Sequence, residues 1–277
     1  MVLDSPKVMG ILNVTPDSFY DGGKFLSEID VLRQAEKLLI EGADFLDVGG
    51  YSTRPGAEDI AIEEEIRRSV GAIKTVTKHF PGALISIDSF RAEVARAAVL
   101  EGAIMVNDVS GGELDATMFE TVAKLNVPYV LMHMRGNPKT MAKLTEYDDV
   151  VKTLIKYFHQ KISRLTQLGA KDIIVDPGFG FAKTREQNFE MLHKLDHFSI
   201  LAKPLLVGLS RKSMIWKTLN IEPKDALNGT TALHAIALMK GASILRVHDV
   251  KECVEVVKVM KELARAAQPK TYKNAVA

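Results

Sequence analysis

IDVLRQAEKLLIEGADFLDVGG, residues 29–50, contains one complete helix-to-strand unit. Its first part carries apolar residues at helical spacing, and the pair Gly42-Ala43 closes it. Glycine takes the left-handed conformation that ends a helix, so the pair reads as a C-cap. The run DFLDVGG (44–50) follows, short and largely apolar on both faces, as a parallel strand buried under helices requires. Moving outward, Gly102-Ala103, Gly169-Ala170 and Gly241-Ala242 repeat the device, each just before another strand-like run. The remaining runs are VMGILNV (8–14), LISID (84–88), IMVND (104–108), PYVLMH (128–133), DIIVD (172–176), PLLVGL (204–209) and SILRVH (243–248). Helical patterns such as 61–80 and 147–170 lie between them. Eight strands alternating with helices predict an α/β fold, a single (β/α)8 TIM barrel. With 277 residues, the chain fits one barrel domain spanning 1–277. Two connections, 14–28 and 50–60, are long, polar and rich in glycine and proline, and are expected to be mobile functional loops.

Composition narrows the partners. Lys plus Arg is 36 against Asp plus Glu 35, a net charge of +1, so no electrostatic footprint for nucleic acid or a membrane surface exists. A small-molecule substrate is expected. The one cysteine, Cys253, excludes an internal disulfide framework and reads as a small apolar residue of the last helix. No signal peptide and no run approaching the ~18 apolar residues of a membrane span are visible, so a cytoplasmic enzyme is expected.

The strand ends carry the chemistry. They present Asn13, Asp47, Asp88, Asn107, His133, Asp176 and the pair Arg246/His248, while the seventh strand runs into Ser210-Arg211-Lys212. In a barrel of this kind, those ends surround the active site. Asp88, Asn107 and Asp176 have a rival role as helix N-caps. Ser89 stands beside Asp88 as a better-placed cap, and Asp108 and Ser110 compete with Asn107 for the same job. Read as a site, carboxylates and an amide facing one pocket are acceptors for a flat heterocycle with several N–H groups. Lys212 follows a tight GLSRKS turn on the same face, against the ordinary fate of a solvated lysine. Arg246 and His248 alternate with Val247, so both point to one side and read as an anion clamp, with a hydrogen-bonded core histidine as the alternative for His248. Gly22-Gly23 and Gly56 allow loop backbone close to an anion. His133 borders the pocket without a role, and His79, His159, His193, His197 and His234 lack metal-ligand spacing and read as structural. No zinc site, Ser/His/Asp triad or P-loop is present.

Taken in order, MGILNVTPDSFYDGG (9–23), DVGGYSTRPGA (47–57), ISIDSF (85–90), VNDVSGG (106–112), DPGFGFAKT (176–184), GLSRKS (208–213) and ILRVHDV (244–250) resemble the dihydropteroate synthase family of pterin-binding barrels. The resemblance spans nearly the whole chain. It implies the folate-pathway condensation of a dihydropterin methyl diphosphate with p-aminobenzoate, releasing pyrophosphate, and it implies a sulfonamide target. By motif, Asp88, Asn107, Asp176 and Lys212 would line the pterin pocket, with Asp88, Asp176 and Lys212 catalytic. Asn13, Thr53, Arg246, Val247 and His248 would hold the diphosphate, Asn13 on a Mg²⁺ ion. Thr53, Arg54, Pro55, Phe181 and Ser210 would shape the p-aminobenzoate site. Ala182 stands where the family often has glycine, and Phe179 where it has isoleucine or another apolar residue. Only fine details of the p-aminobenzoate pocket turn on these.

The alternatives are a methyltetrahydrofolate-type pterin methyltransferase, which needs neither the diphosphate clamp nor the STRPG loop, and a non-catalytic pterin-binding protein. The start of the chain close to the first strand suggests the stand-alone bacterial type, without a fused pyrophosphokinase. The family's usual homodimer forms through its last helices, where ALHAIALMKGA and VKECVEVVKVMKELARA supply apolar surface. The same residues also serve the barrel, so the pattern leaves their division open.

Overall fold

The computed structural model describes residues 3–15, 28–52 and 59–266. The strands are Lys7–Asn13 (β1), Phe45–Gly49 (β2), Ile85–Asp88 (β3), Met105–Asp108 (β4), Tyr129–Met132 (β5), Ile173–Asp176 (β6), Leu205–Val207 (β7) and Ala242–Val247 (β8). They pair in parallel in chain order, and β8 returns to β1 to close the barrel. The covering helices are Glu28–Ile40 (α1), Ile62–His79 (α2), Ala92–Leu100 (α3), Met118–Leu125 (α4), Val150–Gln167 (α5), Arg185–His193 (α6), Ser213–Leu219 (α7), Leu227–Met239 (α8) and Val250–Ala266 (α9). The expected (β/α)8 architecture is therefore present. Of the two long loops, residues 16–27 and 53–58 lie outside the described residues.

The Gly-Ala pairs behave as read. Gly42, Gly102, Gly169 and Gly241 have φ of 99°, 117°, 93° and 94°, the left-handed region that closes a helix without a Cβ clash. Each helix then buries one stripe against the strands. In α5 that stripe is Val150, Val151, Leu154, Phe158 and Leu165, and each fully buried side chain of this size stabilises by about 1.5–3 kcal/mol. Cys253 is buried in the α9 face, and burial pushes its thiol up to about 12, so it is an inert core residue.

The period of two along each strand separates two cores. One set of residues, Val8, Leu12, Val48 and Ile87 among them, faces the helices. The other set points inward, where Met9, Phe45, Met105, Val130, Ile174, Leu206 and Ile244 form a fully buried apolar plug. Two residues further along each strand is the next inward position. From Phe45 that is Asp47, from Met105 Asn107, from Ile174 Asp176 and from Ile244 Arg246. On β3 the inward pair is Ser86 and Asp88, with Asp88 opposite Asn107 in the register. An apolar floor with a polar ring directly above it follows from strand alternation alone.

Candidate active site

Arg246 occupies the centre of that ring. Its Nε donates to Asp47 Oδ2 at 2.6 Å and its Nη2 donates to Asp88 Oδ2 at 2.6 Å. The guanidinium thus bridges β8 to β2 and β3, and the two carboxylates hold its pKa above the ordinary arginine value even though burial opposes this. Asp88 shows the other side of the balance. Burial raises its carboxyl above the usual range, Arg246 lowers it, and Asp47 raises it again as a like charge. One cation thus lies between two buried carboxylates.

Asp47 is fully buried, and its Oδ2 also accepts from Asn107 Nδ2 at 2.9 Å. Because a carboxylate can only accept, this bond fixes the amide of Asn107 with its nitrogen toward Asp47 and its oxygen available as an acceptor. Asp47 Oδ1 is buried with no hydrogen-bond partner among the described residues. Asp47 stands at a strand end in the sequence, but no role is assigned to it there. Its parity with Phe45 was the signal that places it inside the barrel.

The rival capping roles separate by residue. Asp108, not Asn107, holds the turn after β4: Oδ1 accepts from the N–H and hydroxyl of Ser110, and Oδ2 accepts from Gly112 N–H and the Tyr129 hydroxyl. Ser89 divides its role: its hydroxyl accepts from Arg91 N–H at the start of α3 at 3.2 Å and donates to the buried Glu65 at 2.6 Å, while Asp115 accepts from the first helical N–H, that of Ala92, at 2.7 Å. Arg91 pairs with that same carboxylate at 3.0 Å, donates to Asp59 Oδ1 at 2.9 Å, and lies over the Tyr51 ring at 5.1 Å. Asp176 keeps part of the local role, since its Oδ1 accepts from Gly178 N–H at 2.8 Å. The N-cap of α6 is Thr184, in a capping box with Gln187.

Lys212 extends over the mouth from the N-cap of α7. Its Nζ donates to the Phe179 carbonyl and stands 4.6 Å from the centre of the Phe181 ring. Burial lowers its pKa from the usual lysine value to about 8, with Asp176 opposing and Arg246 reinforcing the shift. Arg211, beside it, forms a two-pronged bond to Asp249 at 2.9 and 2.7 Å, so the turns after β7 and β8 are tied together. Ser210 makes a second tie. Its hydroxyl accepts from His248 N–H at 3.2 Å and lies 3.1 Å from His248 Nδ1. A residue expected at the p-aminobenzoate end therefore touches one expected at the diphosphate end. Val247 is fully buried in the outer core, so its side chain is withdrawn from the barrel mouth.

Beyond the ends of β4, β5 and β6, Val109, Met132, Met134, Met141 and Ala182 form a buried apolar cluster, with Phe90 and Phe181 packed against it. Phe179 points the other way, into the outer core, while Ala182 lines the mouth with φ of 50°. Lys183 is a buried residue to which the sequence reading assigned nothing. Its Nζ stands 3.0 Å from Nδ1 of His133, the strand-end histidine left without a role. Thr53, Arg54 and Pro55, and with them Gly22, Gly23 and Gly56, lie outside the described residues.

No group of three or more His, Cys, Asp or Glu residues able to hold a metal exists among the described residues. Asn13 supplies a hard amide oxygen, and a Cβ built on Gly49 would meet Asn13 Oδ1 at 3.4 Å and Asp88 Oδ2 at 3.6 Å. One or two protein oxygens beside a gap suit a Mg²⁺ ion that keeps most of its coordination for water and phosphate. The residues present fit an ion that enters with a diphosphate.

A parallel barrel with acceptors and a guanidinium in one ring at its mouth, an apolar cluster beside them and an apolar floor beneath defines a barrel enzyme for a flat, N–H-rich heterocycle. The family model for pterin binding enzymes matches residues 9–248. The chain is 44% identical over 272 residues to dihydropteroate synthase of Escherichia coli K12, covering 98% of this chain and 96% of that one. It is 41% identical to dihydropteroate synthase of Bacillus subtilis, covering 91% and 87%. Among solved structures, Yersinia pestis dihydropteroate synthase in a sulfonamide drug complex superposes with a TM-score of 0.90 at 39% identity, covering 96% and 97%. The Xanthomonas albilineans enzyme in complex with 7,8-dihydropteroate superposes at 0.85 with 38% identity, covering 97% of each chain. The chain belongs to the pterin binding enzyme family, among the dihydropteroate synthases.

Proposed function

We propose that the protein condenses (7,8-dihydropterin-6-yl)methyl diphosphate with p-aminobenzoate to give 7,8-dihydropteroate and pyrophosphate. The observation that carries this reading is the ring of Asp88, Asn107 and Asp176 facing Lys212 over an apolar floor, in a chain so similar to enzymes of that name. Asn107 Oδ1 and the Asp176 carboxylate accept from the pterin's amino and ring N–H groups, and Lys212 donates to its carbonyl side. The apolar cluster at Met132 packs one face of the ring, burying area that polar contacts alone would leave wet.

Asn13, Thr53, Arg246, the Val247 backbone and His248 receive the diphosphate. Its charge exceeds that of a single carboxylate, so it competes for the Arg246 guanidinium that Asp47 and Asp88 hold at 2.6 Å. As Arg246 turns toward the phosphates, Asp88 is left facing the pterin methylene. The C–O bond then breaks with both electrons leaving on pyrophosphate. The methylene becomes cationic, and the Asp88 carboxylate stabilises it electrostatically. The amine lone pair of p-aminobenzoate forms the C–N bond, and the surplus ammonium proton passes to solvent. Phe181 and Ser210, with Thr53, Arg54 and Pro55, hold the aromatic amine in line. Mg²⁺, if bound at Asn13 with the diphosphate, supplies Lewis-acid stabilisation of the departing charge. No covalent protein nucleophile enters this scheme.

The chain acts in this reading as one barrel domain, residues 1–277, in the cytoplasm. No helix among the described residues is long and apolar enough to cross a membrane. Met239, Val259 and Leu263 on α8 and α9 expose apolar side chains, the surface of a homodimer through the last helices. Pyrophosphate release from the pterin diphosphate, followed with and without p-aminobenzoate and Mg²⁺, tests the function. Dihydropteroate that requires all three components is the expected result. Pterin binding without pyrophosphate release makes the chain a binding protein instead.

A further inference from the structure

Lys183 is 8% exposed, and its ammonium is fully engaged. Nζ lies 3.0 Å from His133 Nδ1, 3.0 Å from the Gly178 carbonyl, 2.9 Å from the Phe181 carbonyl and 3.4 Å from the His133 carbonyl. An ammonium has three N–H donors, and three acceptors within 3.0 Å use them all. Burial pushes the Lys183 pKa well below the usual lysine value and Asp176 opposes the shift, so it is this complete set of acceptors that favours the ammonium form. His133 is suited to its part. Burial, and then Lys183 itself, depress the imidazole pKa to about 2, so the ring is neutral and offers Nδ1 as an acceptor. Its edge is wedged against Tyr157, with ring centres 4.8 Å apart.

The two elements joined this way differ in backbone geometry. His133 directly follows β5, whereas residues 177–183 form a turn with Gly178, Gly180 and Ala182 all at positive φ. The turn is held to Asp176 through Gly178 N–H, to Asn188 through Gly180 N–H and within itself through Phe181 N–H to Gly178, while Tyr147 donates to the Ala182 carbonyl at 3.0 Å and Lys212 to that of Phe179. None of these ties the turn to β5. Lys183 does so, at two carbonyls, one of them that of Phe181.

We propose that Lys183 is a positioning residue for the aromatic-amine half of the reaction, fastening the Gly178 and Phe181 carbonyls to His133 so that the Phe181 ring stays in place beside Lys212. This rests on the reading above in which Phe181 borders p-aminobenzoate. The pterin contacts at Asn107 and Asp88 lie on other strands; those at Asp176 and Lys212 touch the same turn, at Gly178 N–H and the Phe179 carbonyl, but neither side chain bonds Lys183.

The test compares the full-length wild type with Lys183→Met, His133→Ala, His133→Asn and Phe181→Ala. Pterin affinity is measured without p-aminobenzoate, and kcat and KM for p-aminobenzoate are measured at saturating pterin diphosphate. Lys183→Met is expected to raise the p-aminobenzoate KM about tenfold or more, as a displaced orienting group does, and to change pterin affinity by less than about threefold. His133→Ala shifts KM in the same direction, while His133→Asn, whose amide oxygen sits near the place of Nδ1, restores it. The His133 pair keeps the test available if Lys183→Met fails to fold. An unchanged KM in Lys183→Met and His133→Ala, with only a lowered melting temperature, overturns the proposal provided that Phe181→Ala does raise KM. If Phe181→Ala also leaves KM unmoved, the assignment of Phe181 falls and takes the proposal with it.

Discussion

Arg246 on β8 reaches Asp88 on β3 at 2.6 Å, across the mouth of the barrel and past the two strands between them. The pair is shared, because the same guanidinium also holds Asp47 on β2. A cation that two carboxylates hold in the free protein is a cation that a diphosphate must win, and this exchange couples anion arrival to exposure of Asp88. Replacing Asp88 with Asn keeps the shape and removes the charge. Turnover is expected to fall by about 10²–10³-fold, the loss typical of one preorganised stabilising group. Steady-state pyrophosphate release reads it, and an Asp88→Asn enzyme with wild-type kcat removes the electrostatic role.

Asp47 is predicted to matter for stability as well as for activity. Asp47→Ala leaves Asn107 Nδ2 without its acceptor and Arg246 with one partner in place of two. Breaking a buried ion pair from one side costs about 3–5 kcal/mol. Denaturant unfolding measures the loss, and a change below about 1 kcal/mol, the scale of an exposed pair, contradicts the buried network.

The pH profile should carry two limbs. Lys212 is depressed to about 8, so its proton leaves as pH rises through that value and the donor to the pterin weakens. Pterin affinity is therefore constant below that value and falls above it. Asp88 is raised by burial, so the acidic limb of kcat lies higher than an ordinary carboxylate would place it. Titrating pterin binding separately from turnover distinguishes the limbs. An alkaline limb that persists in Lys212→Met belongs to another group.

Arg91 and Glu65 give a stability prediction with a definite sign. Burial raises the Glu65 carboxyl while Arg91 and Ser89 lower it, so Arg91→Met raises it further. A carboxyl whose folded pKa exceeds its unfolded value contributes stability below the unfolded pKa and loses it as pH rises through the folded pKa. Arg91→Met is thus more damaging at neutral than at mildly acidic pH, which melting temperatures across that range check. An equal loss at both pH values places the damage outside Glu65.

Ala182 carries a left-handed backbone at φ of 50° in the turn before Lys183. That conformation costs an L-residue with a Cβ roughly 1–2 kcal/mol. Ala182→Gly is expected to relieve about 1 kcal/mol of it, less the entropy glycine adds to the unfolded chain. A rise in melting temperature without a change in pterin affinity is the expected result, and a fall shows that packing of the methyl group outweighs the strain.

The barrel was legible because its two determinants are local. The Gly-Ala pairs at 42–43, 102–103, 169–170 and 241–242 each close a helix just before a strand, whereas Gly71-Ala72 lies inside α2, and alternation along FLDVG, MVND, IIVD and ILRV puts polar side chains on the inner wall whatever the neighbouring strands do. Asp88, Asn107, Asp176, Lys212 and Arg246 could therefore be picked out one by one. Their rival roles could not be separated along the chain, since Asn107 and Asp108 differ in role only through which way a strand faces. Tertiary structure assigned the turn to Asp108, sent the Ser89 hydroxyl to Glu65, and turned Val247 into the outer core. It also decided every partnership in the site. Arg246 stands 199 residues from Asp47 and 158 from Asp88, and Lys183 stands 50 from His133. Local sequence sets which side of a strand a charge occupies, but which opposite charge it meets depends on barrel closure, and closure is a property of all eight strands together.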